Sequence, residues 1–324
     1  MCMRLLFLAR PSLSPLLPAV LLLALFAWFS PAAAEVKAEE APATKNAKAE
    51  ELPPEELVDL ITRDGVILKA SFYAGTKGRD SVPVVLLHMY DGSRKDYARL
   101  ASFLQEKGHA VLVPDLRGHG DSTQVQGSTV RLETKSMPPQ AFNAMVTGDM
   151  EACKKFLVDK NNDGKLNIEK LCLVGAEMGS VVAMEYARLD WSWPPLVTGK
   201  QGQDVKAVVL LSPQWSFRTL QVRPLLNQPA VLRNLATMIL VGKEDHRSLR
   251  EAKRLYSTLK RSHPSVNAKN MADRTLLYLP LATSLQGTKM LDEPTLHVQE
   301  WIASFIKVRL ADKTFPWKKR TLAP

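Results

Sequence analysis

Cysteine is scarce in this sequence: three residues among 324, at positions 2, 153 and 172. Three thiols cannot build a disulfide scaffold, and their spacing matches no zinc site, so a hydrophobic core has to hold the fold. Apolar runs are short as well. Leu16 to Phe29 is 14 residues, below the ~20 needed to cross a bilayer, so no permanent membrane span is expected. Basic residues form no cluster beyond Lys318-Lys319-Arg320, which gives no basis for specific nucleic-acid binding. No internal repeat occurs. What remains is an ordinary globular composition, 46% hydrophobic and 23% charged, which excludes a collagen-like chain, disorder throughout, and a multi-pass membrane protein.

The first 34 residues read as a secretory signal peptide. Arg4 and Arg10 precede the apolar run, and Ala32-Ala33-Ala34 offers small residues for cleavage; Cys2 lies inside this leader. Export follows, to the periplasm or outside the cell. Residues 35–56, rich in Ala, Glu, Lys and Pro with adjacent Pro53 and Pro54, read as a disordered linker. One folded domain is expected over 57–310, with a basic tail over 311–324. The formal net charge of +10 becomes +12 from residue 58 onward, because the leader carries two arginines and the linker three lysines against seven glutamates. Cys153 and Cys172 are expected as two separate buried thiols.

Within the domain, Val58–Ile61 and Val66–Phe72 are β-rich runs joined by Arg63-Asp64-Gly65, a hairpin signal. Strand signals recur at Val82–Leu87, Val111–Val113, Leu171–Val174, Ala207–Leu211, Thr237–Val241 and Thr275–Leu279. Between them, apolar residues at helical spacing predict helices over Tyr97–Glu106, Ala141–Val158, Ser180–Arg188, Leu249–Leu259 and Leu296–Ile306. This alternation predicts an α/β fold, a mostly parallel sheet of about eight strands with helices on both faces and an antiparallel start. Sites in such folds form at the carboxyl ends of the strands.

Five of those ends carry distinctive residues. His88-Met89-Tyr90-Asp91-Gly92-Ser93 follows one strand and Pro114-Asp115-Leu116-Arg117-Gly118-His119-Gly120-Asp121-Ser122 the next. Gly175-Ala176-Glu177-Met178-Gly179 ends a third, and Gly242-Lys243-Glu244-Asp245 and Leu285-Gln286-Gly287 follow later ones. The set resembles the α/β-hydrolase superfamily in its dienelactone-hydrolase or serine-aminopeptidase style, over most of 58–308. The resemblance implies a nucleophile elbow G-x-S-x-G in which Glu177 stands for the serine. It also implies a triad acid at Asp245 and a triad histidine position filled by Gln286. An oxyanion hole would come from the backbone N–H groups of Met89, Tyr90 and Met178, Met89 standing where glycine is usual. No cofactor is implied. An amide cannot take a proton near neutral pH, so the general base is missing from this position. His246 and His297 are the only histidines near enough in outline to replace it, the latter inside the last helix. The simplest arrangement puts the Glu177 carboxylate in the oxyanion hole and Gln286 against Asp245. Relatives such as haloalkane dehalogenases use a carboxylate at this elbow but need the histidine to release their ester.

Two further segments stand out. Asp159, Asn161 and Asp163 match calcium-loop positions, but Lys170 occupies the place of the bidentate glutamate, with Glu169 nearby. The segment Ser212–Asn234, with Trp215 and Phe217, falls where the family inserts a short cap, and an aromatic cap suits a small apolar or ester-like ligand. The residues therefore imply first a non-catalytic binder of a ligand or protein partner. Second comes a hydrolase of altered chemistry using Glu177 with Asp245, and third a binder of anionic surfaces.

Overall fold

The computed structural model describes residues 51–320 apart from 197–198, 264–268 and 271–272. The expected leader, and the linker up to residue 50, lie outside the described residues. Eight strands make the sheet: β1 (Glu56–Ile61), β2 (Val66–Tyr73), β3 (Pro83–Leu87), β4 (Ala110–Pro114), β5 (Leu171–Ala176), β6 (Val205–Leu211), β7 (Ala236–Gly242) and β8 (Leu276–Leu281). Their order is β1-β2-β4-β3-β5-β6-β7-β8, with the two-residue strand Gln124–Val125 beside β2. The β1–β2 and β2–β4 pairs are antiparallel and all pairs from β4 to β8 parallel.

Parallel strands covered on both sides must be apolar on both faces, and β3 shows how. Val84 and Leu86 enter one hydrophobic cluster while Val85 and Leu87 enter the other, as the two-residue alternation of a strand requires. Helices α1 (Ala98–Glu106) and α5 (Val298–Ile306) cover the first face. Helices α2 (Met150–Asn162), α3 (Met178–Ser192) and α4 (His246–Leu259) cover the second. Cys153 and Cys172 are buried free thiols.

Two expected helices differ from what forms. The long one over Ala141–Val158 is broken by a wide π-type turn at Met145–Asp149. The Asp149 carboxylate is drawn out to accept from the Arg117 N–H and Nε at 2.9 and 2.8 Å, and a Cβ at Gly148 would lie 2.7 Å from that guanidinium. The last helix begins after His297, which is its N-cap in a left-handed conformation (φ 51°) and no part of the helix.

Both ends of the expected domain extend further than sequence spacing implied. The Pro53 carbonyl accepts from Gln105 Nε2 at 2.8 Å. Residues 311–320, expected as a basic tail, form a strap. Trp317 Nε1 donates to the Leu166 carbonyl, Asn162 Nδ2 to the Arg320 carbonyl, and the buried Arg320 guanidinium pairs with Asp204 at 2.6 Å and Glu169 at 2.8 Å. Only Lys318 and Lys319 of the basic triplet stay exposed.

Candidate functional site

Strand β5 runs into α3 through Glu177, whose backbone is held at φ 46°, ψ −106°. A non-glycine residue in that region stores about 1–3 kcal/mol of strain and persists only where its surroundings impose it. They do so here by crowding. A Cβ at Gly175 would lie 2.3 Å from the Gly179 carbonyl oxygen, and one at Gly179 only 2.2 Å from that of Leu87. The Glu177 N–H donates to the Leu211 carbonyl at 2.9 Å, fixing the turn to β6.

The Glu177 side chain does not fill the oxyanion hole as expected. It makes no hydrogen bond to the helix it precedes; its carboxylate faces Gln214 Nε2 at 3.5 Å and packs over Gly287, where a Cβ would be 3.3 Å from Oε1. Burial holds this carboxyl above the ordinary carboxylate range; Lys289 opposes that shift while the charges of Asp245 and Asp91 add to it.

Gln286 does not bond Asp245. Its Oε1 accepts from the Ser212 hydroxyl at 2.6 Å and its Nε2 donates to the Gly242 carbonyl at 3.0 Å. Ser212 Oγ in turn accepts from the Gly287 N–H at 2.9 Å. Gly242 has to be glycine for this, since a Cβ there would lie 2.6 Å from Gln286 Nε2. Asp245 is instead the N-cap of α4, accepting from the N–H groups of Ser248 and Arg247 at 2.9 Å each, a strong capping arrangement. The Ser248 N–H, with that of Arg247, holds its carboxyl below the ordinary range. Sequence reasoning missed Ser212 and Gln214. Both follow β6, the strand end between the elbow and Asp245, and that position was the available signal.

On the other side, the Met89 side chain packs against the turn at Gly287 and Thr288. Its sulfur would be 3.2 Å from a Cβ at Gly287, and the Thr288 hydroxyl points to it at 3.7 Å. His88 is buried behind the turn. Its Nδ1 donates to the Met89 carbonyl at 2.8 Å, so that Nε2 is left to accept the Leu116 N–H at 3.0 Å. Burial, with the neighbouring His119, pushes it down to about 4, a neutral ring. The Asp115–Ser122 loop is structural: Asp115 accepts from the N–H groups of Arg94 and Asp121 at 2.6 and 2.9 Å, and Ser122 Oγ donates to the Asp115 carbonyl at 2.7 Å. Among the described residues no histidine hydrogen-bonds Glu177 or Asp245, and His246 is exposed on α4. No replacement base is therefore brought to the site.

The segment after Ser212 forms a small cap: the hairpin Ser216–Phe217/Leu220–Gln221 and short helices Arg223–Leu226 and Pro229–Asn234. Phe217 meets Tyr90 at 5.1 Å and Phe142 at 5.7 Å, with the Arg218 guanidinium about 6 Å from all three rings. The calcium-loop candidate dissolves. Asp159 and Asn161 lie in the last turn of α2, Asp163 caps it, and Asn161 Oδ1 accepts the Ile168 N–H while its Nδ2 donates to Lys318. Among the described residues no three His, Cys, Asp or Glu side chains group to hold a metal.

The model of the serine aminopeptidase S33 family matches residues 80–279, a span that contains Glu177 and Asp245 and stops before Gln286. The chain belongs to that family. The fold is accordingly an α/β-hydrolase fold, and solved structures agree. An esterase of Pyrococcus furiosus is similar over 80% of this chain and 93% of its own, with TM-score 0.55 and 20% identity. Dienelactone hydrolase from Anabaena variabilis covers 80% and 100% (TM-score 0.53, 18% identity). A thermostable carboxylesterase from a metagenomic library covers 80% and 90% (TM-score 0.56, 14% identity). No curated protein matches. This S33 member thus keeps the family's strands and turns around a site with Glu177 at the elbow and Gln286 beyond the last strand.

Proposed function

We propose that this exported S33-family protein is a non-catalytic α/β-hydrolase that binds a small apolar, ester-like ligand between the Tyr90/Phe142/Phe217 cluster and the elbow. The observation that carries the reading is the lock on Gln286. Both ends of its amide are engaged by Ser212 and Gly242, so the position that would supply a general base supplies a structural bridge instead. Glu177 could still attack an electrophile, but with no base to activate water the ester it formed would remain on the protein. The Met89 side chain beside Gly287 narrows the space where a tetrahedral intermediate would sit, which further favours binding over turnover.

The test is paired. The protein is offered chromogenic short-chain esters and a fluorophosphonate probe, and ligand binding is followed by the shift in thermal unfolding temperature with non-hydrolysable ester analogues. Stabilisation without turnover or labelling is expected. Labelling at any serine would overturn the reading, and turnover abolished by Glu177→Gln would replace it with a carboxylate-centred hydrolase.

A further inference from the structure

Helix α4 carries a second surface that owes nothing to the elbow. Its buried residues Ala252, Leu255 and Leu259 face the sheet. On the opposite face Arg247, Arg250, Lys253 and Arg254 are exposed, and Lys260 and Arg261 continue the row just past the helix end. At 100° per residue these six cations fall within an arc of about 140°, along a line of about 21 Å, with Ser257 the only other residue on it. The single acid of the helix, Glu251, lies at the edge of the arc, where it accepts the Trp215 N–H at 3.0 Å and sits 3.9 Å from Arg247. Arg254 lies over the Trp215 ring at 3.9 Å. Among the described residues, Arg250, Lys253, Lys260 and Arg261 have no hydrogen-bond or ion-pair partner for their side chains.

Six like charges aligned on one convex face repel one another and are unfavourable unless something negative covers them. The face has no Asn or Gln to read base edges and no exposed aromatic ring on which a base could stack. We infer that α4 is a docking face for the headgroup plane of a bilayer rich in anionic lipids, where each basic residue near the surface adds to binding and salt weakens it. This placement also brings the cap to the membrane, because Trp215 is held by Glu251 and Arg254 of the same helix. An apolar ligand could then pass between lipid and cap without crossing water. The docking stands independently of whether Glu177 performs any chemistry.

The experiment is vesicle co-sedimentation of the chain from Glu35 onward, which contains the whole described unit. Vesicles of phosphatidylcholine alone are compared with vesicles containing 30% phosphatidylglycerol, at low and high salt. Binding is expected only to the anionic vesicles and only at low salt. Arg250→Gln with Lys253→Gln and Arg261→Gln should weaken it about 100-fold, by the contribution each basic residue makes near an anionic surface. Arg63→Gln with Lys135→Gln and Lys313→Gln changes net charge equally, lies elsewhere on the surface, and should weaken it much less. Circular dichroism confirms that both triple variants are folded. Equal loss in the two variants would overturn the inference, as would binding to plain phosphatidylcholine or binding to duplex DNA with no binding to vesicles.

Discussion

Ser212 and Gln286 are joined across two loops by a 2.6 Å hydrogen bond in which the serine hydroxyl donates to the amide oxygen. The same hydroxyl accepts the Gly287 N–H, so one small side chain fixes both the Gln286 rotamer and the loop that carries it. Ser212→Ala removes both bonds and leaves a buried N–H without a partner. Unfolding in urea should show a loss of about 1–3 kcal/mol, while Ser284→Ala, which removes an exposed hydroxyl nearby, should change stability by less than about 0.5 kcal/mol.

If the site is non-catalytic as proposed, installing a serine and a histidine at the two triad positions tests it directly. Glu177→Ser with Gln286→His should give fluorophosphonate labelling at position 177. Adding Met89→Gly should raise esterase activity further, because it removes a side chain that packs against Gly287 and Thr288 beside the elbow. A base at the right place contributes on the order of 100-fold, so chromogenic-ester turnover in the triple variant should exceed the parent by at least that factor. A triple variant as inert as the parent would mean that the Asp245 cap of α4 cannot also serve as a triad acid.

How far the sequence could be read divides along a physical line. The strands and the elbow were legible because a β-strand buried on both faces is written in its own residues, as in Val82–Leu87, and because G-x-x-x-G records a backbone crowding that no other residue relieves. The fate of each side chain was not legible. Gln286 was expected on Asp245, yet Asp245 is taken by the first turn of α4, and the amide turned to Ser212, a residue from a loop 74 positions away. The tail misled for the same reason: Lys318-Lys319-Arg320 reads as one basic run, while Arg320 alone is buried against Asp204.

That burial makes a sharp contrast testable. Arg320→Ala leaves the Asp204 and Glu169 carboxylates without one of their cations in a buried cluster. Loss of one partner of a buried pair costs about 3–5 kcal/mol, moderated here because Lys154 and Lys200 also contact Asp204 at 3.0 Å each. Chemical denaturation of Arg320→Ala should therefore show a loss of about 2–4 kcal/mol, whereas Lys318→Ala and Lys319→Ala should stay within about 0.5 kcal/mol of the parent.

Acid should weaken the fold through its buried histidines. Burial pushes His88, His109 and His263 down to about 4, whereas in the unfolded chain each titrates near about 6.5. The unfolded state therefore takes up protons first as pH falls. The stability these neutral rings contribute is full above about pH 6.5 and declines through the interval down to about pH 4. Urea midpoints measured at pH 7.5, 6, 5 and 4.5 should fall progressively, and His109→Leu, which removes one of these titrations, should flatten the curve. A midpoint that holds constant to pH 5 would contradict the buried neutral state.

Glu177 runs the other way. Its carboxyl is held up by burial, so ionising it at neutral pH works against the fold. Glu177→Gln should raise the unfolding temperature at pH 7.5, and the gain should shrink as pH drops below the ordinary glutamate range, where the unfolded carboxyl is also protonated.

The two glycines of the elbow are fenced by backbone atoms at 2.2–2.3 Å from any added Cβ, whereas the half-buried side chain between them meets Gln214 and the Gly287 loop, neighbours that can shift. Saturation mutagenesis scored by folding alone should therefore forbid almost every change at 175 and 179 and permit many at 177. Folding alone therefore fixes the two ends of the elbow and leaves the identity of its central residue to whatever the site is used for.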